Sequence, residues 1–376
     1  MRITIGGDFS PVGPIGLACQ AGDAEAVFGD LVKDLRGSDL AVLNLECPLI
    51  SGESPILKSG PILGVARDYV KVLRPAGFQL IGLANNHVMD HGASGLASTI
   101  AACDEAGLTC FGAGPDLDAA RQVKVREIDG FRVGFLGMTE REFGIAQHDS
   151  WGANPLDPLD FVRNVARHGK DWDFLIVLLH GGNEYYPYPR PSLMNACRFL
   201  VEQGADAVIC QHSHCAGCYE TYEGGHIVYG QGNLLFDSPN SSASWYEGLL
   251  VTLEIDSSHS SKLRLLPICQ SRPFPGIRRM PEPRATEFMA EVEQRSEKLG
   301  DDGFVRQQWD DFCEQRRVHY LRRLGSPNRA FRALDRLTGF TRFFYSRTPL
   351  RTEHLNLFRC ESHREVLINI LSRDLL

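Results

Sequence analysis

Two histidines leave one strand-like run together in Ala207-Val-Ile-Cys-Gln-His212-Ser-His214. Imidazole is a good ligand for zinc, iron, manganese or nickel at neutral pH, so one turn here offers two metal donors. Taken alone, the H-x-H pattern suits two surface histidines equally well. His180 follows Leu175-Ile-Val-Leu-Leu179 and opens into Gly181-Gly182-Asn183-Glu184-Tyr185, where two glycines let backbone approach a ligand closely. Asp8 and Glu46 close the otherwise apolar runs Ile3–Gly7 and Ala41–Leu45. A lone carboxylate at the edge of a core is costly, and a cation relieves that cost; a helix cap or a loop ion pair is the alternative. Asn85-Asn86-His87 adds an amide and another imidazole, with Asp90 near enough to hold His87 in one tautomer. Asp8, Glu46, Asn86, His180, His212 and His214 thus form a candidate ligand set. Mixed donors of this kind suit two transition-metal ions about 3.5–4 Å apart, which activate water and stabilise negative charge. Hydrolysis is the default chemistry for such a site.

Each of these residues needs an element to place it. Apolar runs at Arg2–Gly6, Leu40–Leu43, Gln79–Leu83, Arg132–Gly137, Phe174–Leu179, Ala207–Cys210, His226–Tyr229, Leu249–Glu254 and Leu263–Pro267 read as strands. Helical periods lie between them at Asp23–Leu35, Ser94–Ala106 and Pro191–Gln203, with Pro191 suited to a first helical position and Gly204 to a C-terminal cap. This alternation predicts an α/β layered domain over residues 1–270. In open α/β sheets ligands bind at the carboxyl ends of strands, where the candidate residues all fall.

After residue 270 the texture changes. Pro273, Pro275, Pro281 and Pro283 mark a connection, and residues 271–376 read as an Arg-rich, mainly helical region. Between Arg316 and Arg347 nine arginines face one acid, Asp335. That stretch reads as a solvated helical face packed onto the acidic main domain, or as a surface for an anionic substrate, a partner protein or a membrane. A hydrophobic fraction of 43% and a charged fraction of 23% exclude a disordered or fibrous protein. A net charge of −8 gives no general attraction to nucleic acid. No secretory signal and no run near the roughly 20 apolar residues of a membrane span is evident, so a cytoplasmic protein is expected. The 11 cysteines then read as reduced thiols, Cys215-Ala-Gly-Cys218 included.

The ordered series Gly7-Asp8, Asn44-Leu45-Glu46, Asn85-Asn86-His87-Val-Met-Asp90, His180-Gly-Gly-Asn-Glu184-Tyr185, Gln211-His-Ser-His214 and Tyr229-Gly-Gln-Gly-Asn233 resembles the CapA family of poly-γ-glutamate capsule biosynthesis proteins. That family belongs to the calcineurin-like metallophosphoesterase superfamily. The resemblance implies a four-layer α/β/β/α sandwich with a C-terminal helical appendage. It also implies one or two divalent ions (Mn, Zn or Fe): one on Asp8 and His214, the other on Asn86, His180 and His212, with Glu46 bridging. His87, with Asp90 and Glu184, would be catalytic, and Asn44, Lys58, Asn85, Tyr185 and Asn233 would bind an anionic small-molecule or polymer substrate. Two departures stand out. Asp8-Phe9-Ser10 replaces the superfamily's D-x-H, and Glu46 stands at the bridging position in place of Asp. The implied activity is metal-dependent hydrolysis of a phosphoester or amide in capsule, cell-surface polymer or glycan metabolism. The missing histidine leaves a non-catalytic assembly subunit as the rival, and an amide-forming factor lacks a G-x-x-x-x-G-K-[ST] nucleotide loop.

Overall fold

Why the strands read as unbroken apolar runs is evident from β2 (Leu40–Leu45), which follows β1 (Arg2–Ser10). Leu40 and Val42 pack toward a second sheet, while Ala41, Leu43 and Leu45 pack under helices on the other side. A strand buried on both faces has no polar face to alternate with. A computed structural model describes residues 1–324, 338 and 348–373, apart from 241, 257, 259, 273 and 274.

β1, β2, β3 (Leu80–Gly82) and β4 (Thr109–Phe111) lie parallel in the first sheet. The next six strands make the second: β5 (Lys124–Ile128), β6 (Phe131–Thr139), β7 (Phe174–His180), β8 (Ala207–Gln211), β9 (Tyr219–Tyr222) and β10 (Gly225–Val228), in the order β9-β10-β8-β7-β6-β5. The chain then returns to the first sheet with β11 (Asn233–Phe236), β12 (Glu247–Ile255), β13 (Ser261–Gln270) and β14 (Ile277–Arg279). That sheet runs β14-β13-β12-β1-β2-β3-β4, with β11 also paired to the end of β1. It therefore continues past residue 270.

Ile3, Ile5, Val42 and Leu80 from the first sheet meet Phe135, Ile176, Leu178 and Ile209 from the second in one dry interlayer. Helices cover both outer faces. α1 (Gly92–Glu105) packs Leu96 and Cys103 on the first sheet; α2 (Pro158–His168) and α3 (Pro191–Glu202) pack Phe161, Leu193, Cys197 and Leu200 on the second. The α/β/β/α sandwich follows. Truncation of Phe135, fully buried between the sheets, is expected to cost about 3–5 kcal/mol. Urea unfolding of Phe135→Ala checks this, and a loss below about 1 kcal/mol would contradict the interlayer packing.

Pro191 opens α3, and Gly204, at φ 107°, follows its end and donates to Val201 O at 2.9 Å. The Asp23–Leu35 helix is not continuous. It splits into Ala24–Phe28, a 3₁₀ turn at Gly29–Leu31 and Val32–Arg36. Gly29 has φ 53°, and a Cβ there would lie 2.4 Å from Ile277 O. Close approach of β14 thus breaks the helix, and only glycine permits it.

Among the described residues the helices that follow are α4 (Arg284–Glu297), α5 (Asp302–Leu324), α6 (Thr348–Arg359) and α7 (Glu361–Arg373). α4 packs Phe288 and Val292 on Leu249 of β12. Trp309 and Cys313 of α5, Leu357 of α6, and Val366 and Ile370 of α7 enclose Tyr186 from the loop after β7. The C-terminal appendage therefore lies on the strand-end loops. Of the nine arginines, Arg316 lies 5.3 Å from the Phe312 ring centre and Arg317 faces Glu314 at 3.7 Å. The side chains of the other seven fall outside the described residues. Among the described residues, no helix is long and apolar enough to cross a membrane.

Candidate metal centre

Strand alternation carries Glu46 to the interlayer side, two residues beyond Asn44 and four beyond Val42. His180, the last residue of β7, follows Phe174, Ile176 and Leu178 to the same side. Asp8 does not simply follow its strand as expected; it lies inside β1. Alternation from Ile3 and Ile5 would send it to the face of Thr4. A bulge between Gly6 and Asp8 shifts the register and re-aims it. His212 and His214 follow β8 at φ 90° and 52°, a region that costs a non-glycine residue of order 1–3 kcal/mol.

These five residues and Asn86 converge. His180 Nε2 lies 3.0 Å from Asn86 Oδ1, 3.1 Å from His212 Nδ1 and 3.3 Å from Glu46 Oε1. One ring nitrogen holds one proton or one lone pair, so it cannot bond all three. Asp8 Oδ1 accepts from Asn44 Nδ2 at 2.7 Å, and its Oδ2 accepts from the His212 backbone N–H at 3.0 Å. Neither Glu46 oxygen has a hydrogen-bond partner, although the residue is fully buried. Asp8, Glu46 and His180 offer ligand atoms within 4.8 Å of one another, and so do Glu46, His212 and His214. An orphaned carboxylate among imidazoles is the donor set a divalent transition ion fits.

The electrostatics agree. Burial opposes charging His180, but Glu46 and Asp8 outweigh it and push the imidazole up to about 10. Burial likewise opposes charge on Asp8, yet His180 and His214 hold its carboxyl below the usual range. His212 moves the other way, because burial and the neighbouring His180 and His214 all disfavour its cation.

Above the cluster lies a cavity of about 480 Å³. Asn86, His87, Glu184, Tyr185, His212, His214 and Lys58 line it. His87 Nδ1 is 2.6 Å from Asp90 Oδ2, and Lys58 Nζ donates to Asp90 Oδ1 at 2.5 Å. Asp90 is fully buried behind His87, so it positions the ring and does not reach the cavity. Asn44, Asn85 and Asn233 are not among the lining residues either. Asn85 Nδ2 donates to Asn44 Oδ1 at 3.1 Å and to Leu45 O at 2.8 Å, while Asn233 Oδ1 lies 2.9 Å from His214 Nδ1. The three amides brace the candidate ligands from below, because the bonds that would greet a substrate are already used. Tyr185 accepts from Asn240 Nδ2 at 2.8 Å and stacks on Trp245.

A family model described as bacterial capsule synthesis protein PGA_cap matches residues 2–238, a stretch holding every candidate ligand. The chain belongs to the PGA_cap family. PGA_cap relatives include the capsule biosynthesis protein CapA of Bacillus anthracis, 30% identical over 56% of this chain and 54% of that one. The PGA biosynthesis protein CapA of Bacillus subtilis is 30% identical over 57% of each. A probable polyglutamine synthesis accessory protein of Mycobacterium tuberculosis is 28% identical over 65% of each. The chain thus spans little more than half the length of the first two. The PGA_cap match ends before α4, so the helices over the cavity lie outside it.

Those helices supply what sequence reasoning missed. Arg316, His319 and Tyr320 of α5, Asn356 of α6, and Ser362 and His363 of α7 complete the cavity wall. Arg316 opens the Arg-rich stretch already read as a solvated face or a binding surface, but nothing in the local sequence marks the other five. Glu142 is different: its Oε1 lies 3.5 Å from Asn86 Nδ2 and 3.8 Å from His212 Nε2. It stands just past β6, so the strand-end rule applied to that strand would have found it. Cys215 and Cys218 are both buried, and that burial pushes their thiols up to about 12.

Proposed function

We propose that the protein is a metal-dependent hydrolase cleaving a phosphoester or amide bond in the metabolism of a capsule-type or other cell-surface polymer or glycan. The observation that carries this reading is the Glu46 carboxylate, buried between the His180 and His214 rings with neither oxygen in a hydrogen bond. Asp8 and His214 would hold one divalent ion, Asn86, His180 and His212 a second, and Glu46 would bridge. Bound ions of the manganese, zinc or iron type would supply a Lewis acid and an activated water.

The chain's own groups do the rest. Asp90 occupies Nδ1 of His87, which leaves Nε2 as the nitrogen able to give a proton to a leaving group. Arg316 on the cavity wall brings positive charge suited to an anionic substrate, while the Lys58 ammonium is held by Asp90. Glu184, exposed on the rim, contacts the outer part of that substrate. Metal analysis of purified protein, followed by assay on phosphoester and amide substrates with manganese, zinc or iron, tests the reading. No bound metal together with no metal-stimulated turnover would end it. His87→Ala is expected to lower turnover by about 10²–10⁴-fold with metal content unchanged; equal loss of metal would make His87 structural.

A second reading, a non-catalytic accessory subunit of polymer synthesis, is favoured by Ser10, buried where the superfamily pattern has a histidine. The printed name of the mycobacterial relative points the same way. A chain that binds metal tightly yet turns over nothing on that panel would support it.

A further inference from the structure

Beyond the strand-end cluster, the segment after β6 meets the α6–α7 junction in reverse order. Glu140 accepts from the Ser362 hydroxyl, Arg141 donates from its backbone N–H and from Nη1 to Glu361 at 2.7 and 3.1 Å, and Cys360 Sγ reaches Glu142 Oε1 at 3.8 Å. Ser362 Oγ also lies 2.5 Å from Gly182 O, a second acceptor within reach of the one hydroxyl proton. Two short pairings therefore clamp the third in place.

The third pairing is unlike the other two. The Cys360 contact to Glu142 Oε1 is long, and the same oxygen stands 3.5 Å from Asn86 Nδ2 and 3.8 Å from His212 Nε2. None of these is a well-formed hydrogen bond. Glu142 is buried to 11% side-chain exposure and Cys360 to 1%. His363, one turn into α7, completes a triangle: ligand atoms of Glu142, Cys360 and His363 lie within 4.8 Å of one another. Its ring is oriented by Tyr320 Oη, 2.7 Å from Nδ1, as an outer partner orients a metal-bound imidazole. Glu142 and His363 both line the cavity.

We propose that Glu142, Cys360 and His363 form a further metal site, taking one zinc-class ion on a carboxylate, a thiolate and an imidazole. Thiolate and imidazole together select a borderline-soft ion, and three protein ligands leave one position open toward the cavity. On binding, the Cys360 S–H bond breaks, its proton goes to solvent and sulfur keeps the electron pair for the metal. The ion staples the C-terminal helices to the end of β6 and neutralises the Glu142 carboxylate at the cavity wall. The site stands whether or not the strand-end centre is hydrolytic.

Cobalt separates the two centres, because none of Asp8, Glu46, Asn86, His180, His212 and His214 is a thiol. The full-length protein, stripped of metal and titrated with Co²⁺, is expected to develop a near-ultraviolet thiolate-to-cobalt absorption. Cys360→Ser is expected to lose that band, and Cys360→Ser and His363→Gln each to bind one fewer equivalent of Zn²⁺. Glu46→Gln and the double variant Cys215→Ser, Cys218→Ser are expected to keep the band. Absence of the band from the unsubstituted protein overturns the proposal, whatever the variants do. So does a band that survives in Cys360→Ser or vanishes with Cys215 and Cys218. Circular dichroism of each variant establishes that it is folded. Loss of metal in Glu46→Gln with the band retained bears only on the strand-end centre.

Discussion

Glu46→Gln is expected to weaken divalent-metal binding by about 100-fold or more, because it replaces the charged donor proposed to bridge the ions, where loss of even an outer partner typically costs 10–100-fold. The amide keeps the volume of the acid, so packing is preserved and the charge alone is removed. Both Glu46 oxygens lie outside any hydrogen bond in a fully buried position, flanked by His180 Nε2 at 3.3 Å and His214 Nε2 at 4.0 Å. An ion that binds only the folded chain raises its stability by about 2.7 kcal/mol at a hundred times its Kd. Manganese, which a thiolate site disfavours, should therefore raise the melting temperature of the unsubstituted protein and move Glu46→Gln far less at the same concentration. An equal rise in both would show that the stabilising ion binds elsewhere, and the cobalt band at Cys360 would say whether it binds there.

Arg190→Ala is expected to cost about 3–5 kcal/mol of stability, because it leaves a buried carboxylate without its cation. Arg190 and Glu140 are paired at side-chain exposures of 2% and 3%, so solvent screening does not soften the loss. The same guanidinium reaches Ser362 Oγ at 3.3 Å, Asn183 Oδ1 at 3.5 Å and Glu365 Oε1 at 3.2 Å. It joins the loop after β7 to α7, and its removal should free the C-terminal helices. Urea unfolding measures the first effect and limited proteolysis after residue 300 the second. Arg190→Lys is expected to recover only part of the loss, since an ammonium cannot satisfy several acceptors with one planar fork. Replacing both partners, Arg190→Met with Glu140→Leu, should restore much of it. If Arg190→Ala were as stable as the unsubstituted chain, the pair would contribute nothing to the fold.

The two substitutions divide the molecule into what is local and what is remote. Glu46 and His180 could be placed from the chain alone. Their strands are apolar on both faces, so a polar residue at the end of such a run is conspicuous, and the two-residue period sets its side. Asp8 broke that logic, since a bulge inside β1 decides its direction and no residue type announces a bulge there. Asn44, Asn85 and Asn233 were legible as members of the site but not as braces. Whether an amide faces a substrate or a neighbour depends on which groups have already claimed its hydrogen bonds. Glu142 was within reach of the strand-end rule, whereas Cys360 and His363 were not.

The sequence by itself determined an α/β layered domain, the strand ends that carry chemistry and the candidate ligands, because periodicity and burial act over a few residues; the two-sheet sandwich was legible only through the family resemblance. Only the tertiary structure decided which side chains roof the cavity. Glu140, Arg141 and Glu142 meet Ser362, Glu361 and Cys360 across separations of 222, 220 and 218 residues. A contact at that range follows from how helices pack on loops, and no local pattern encodes it.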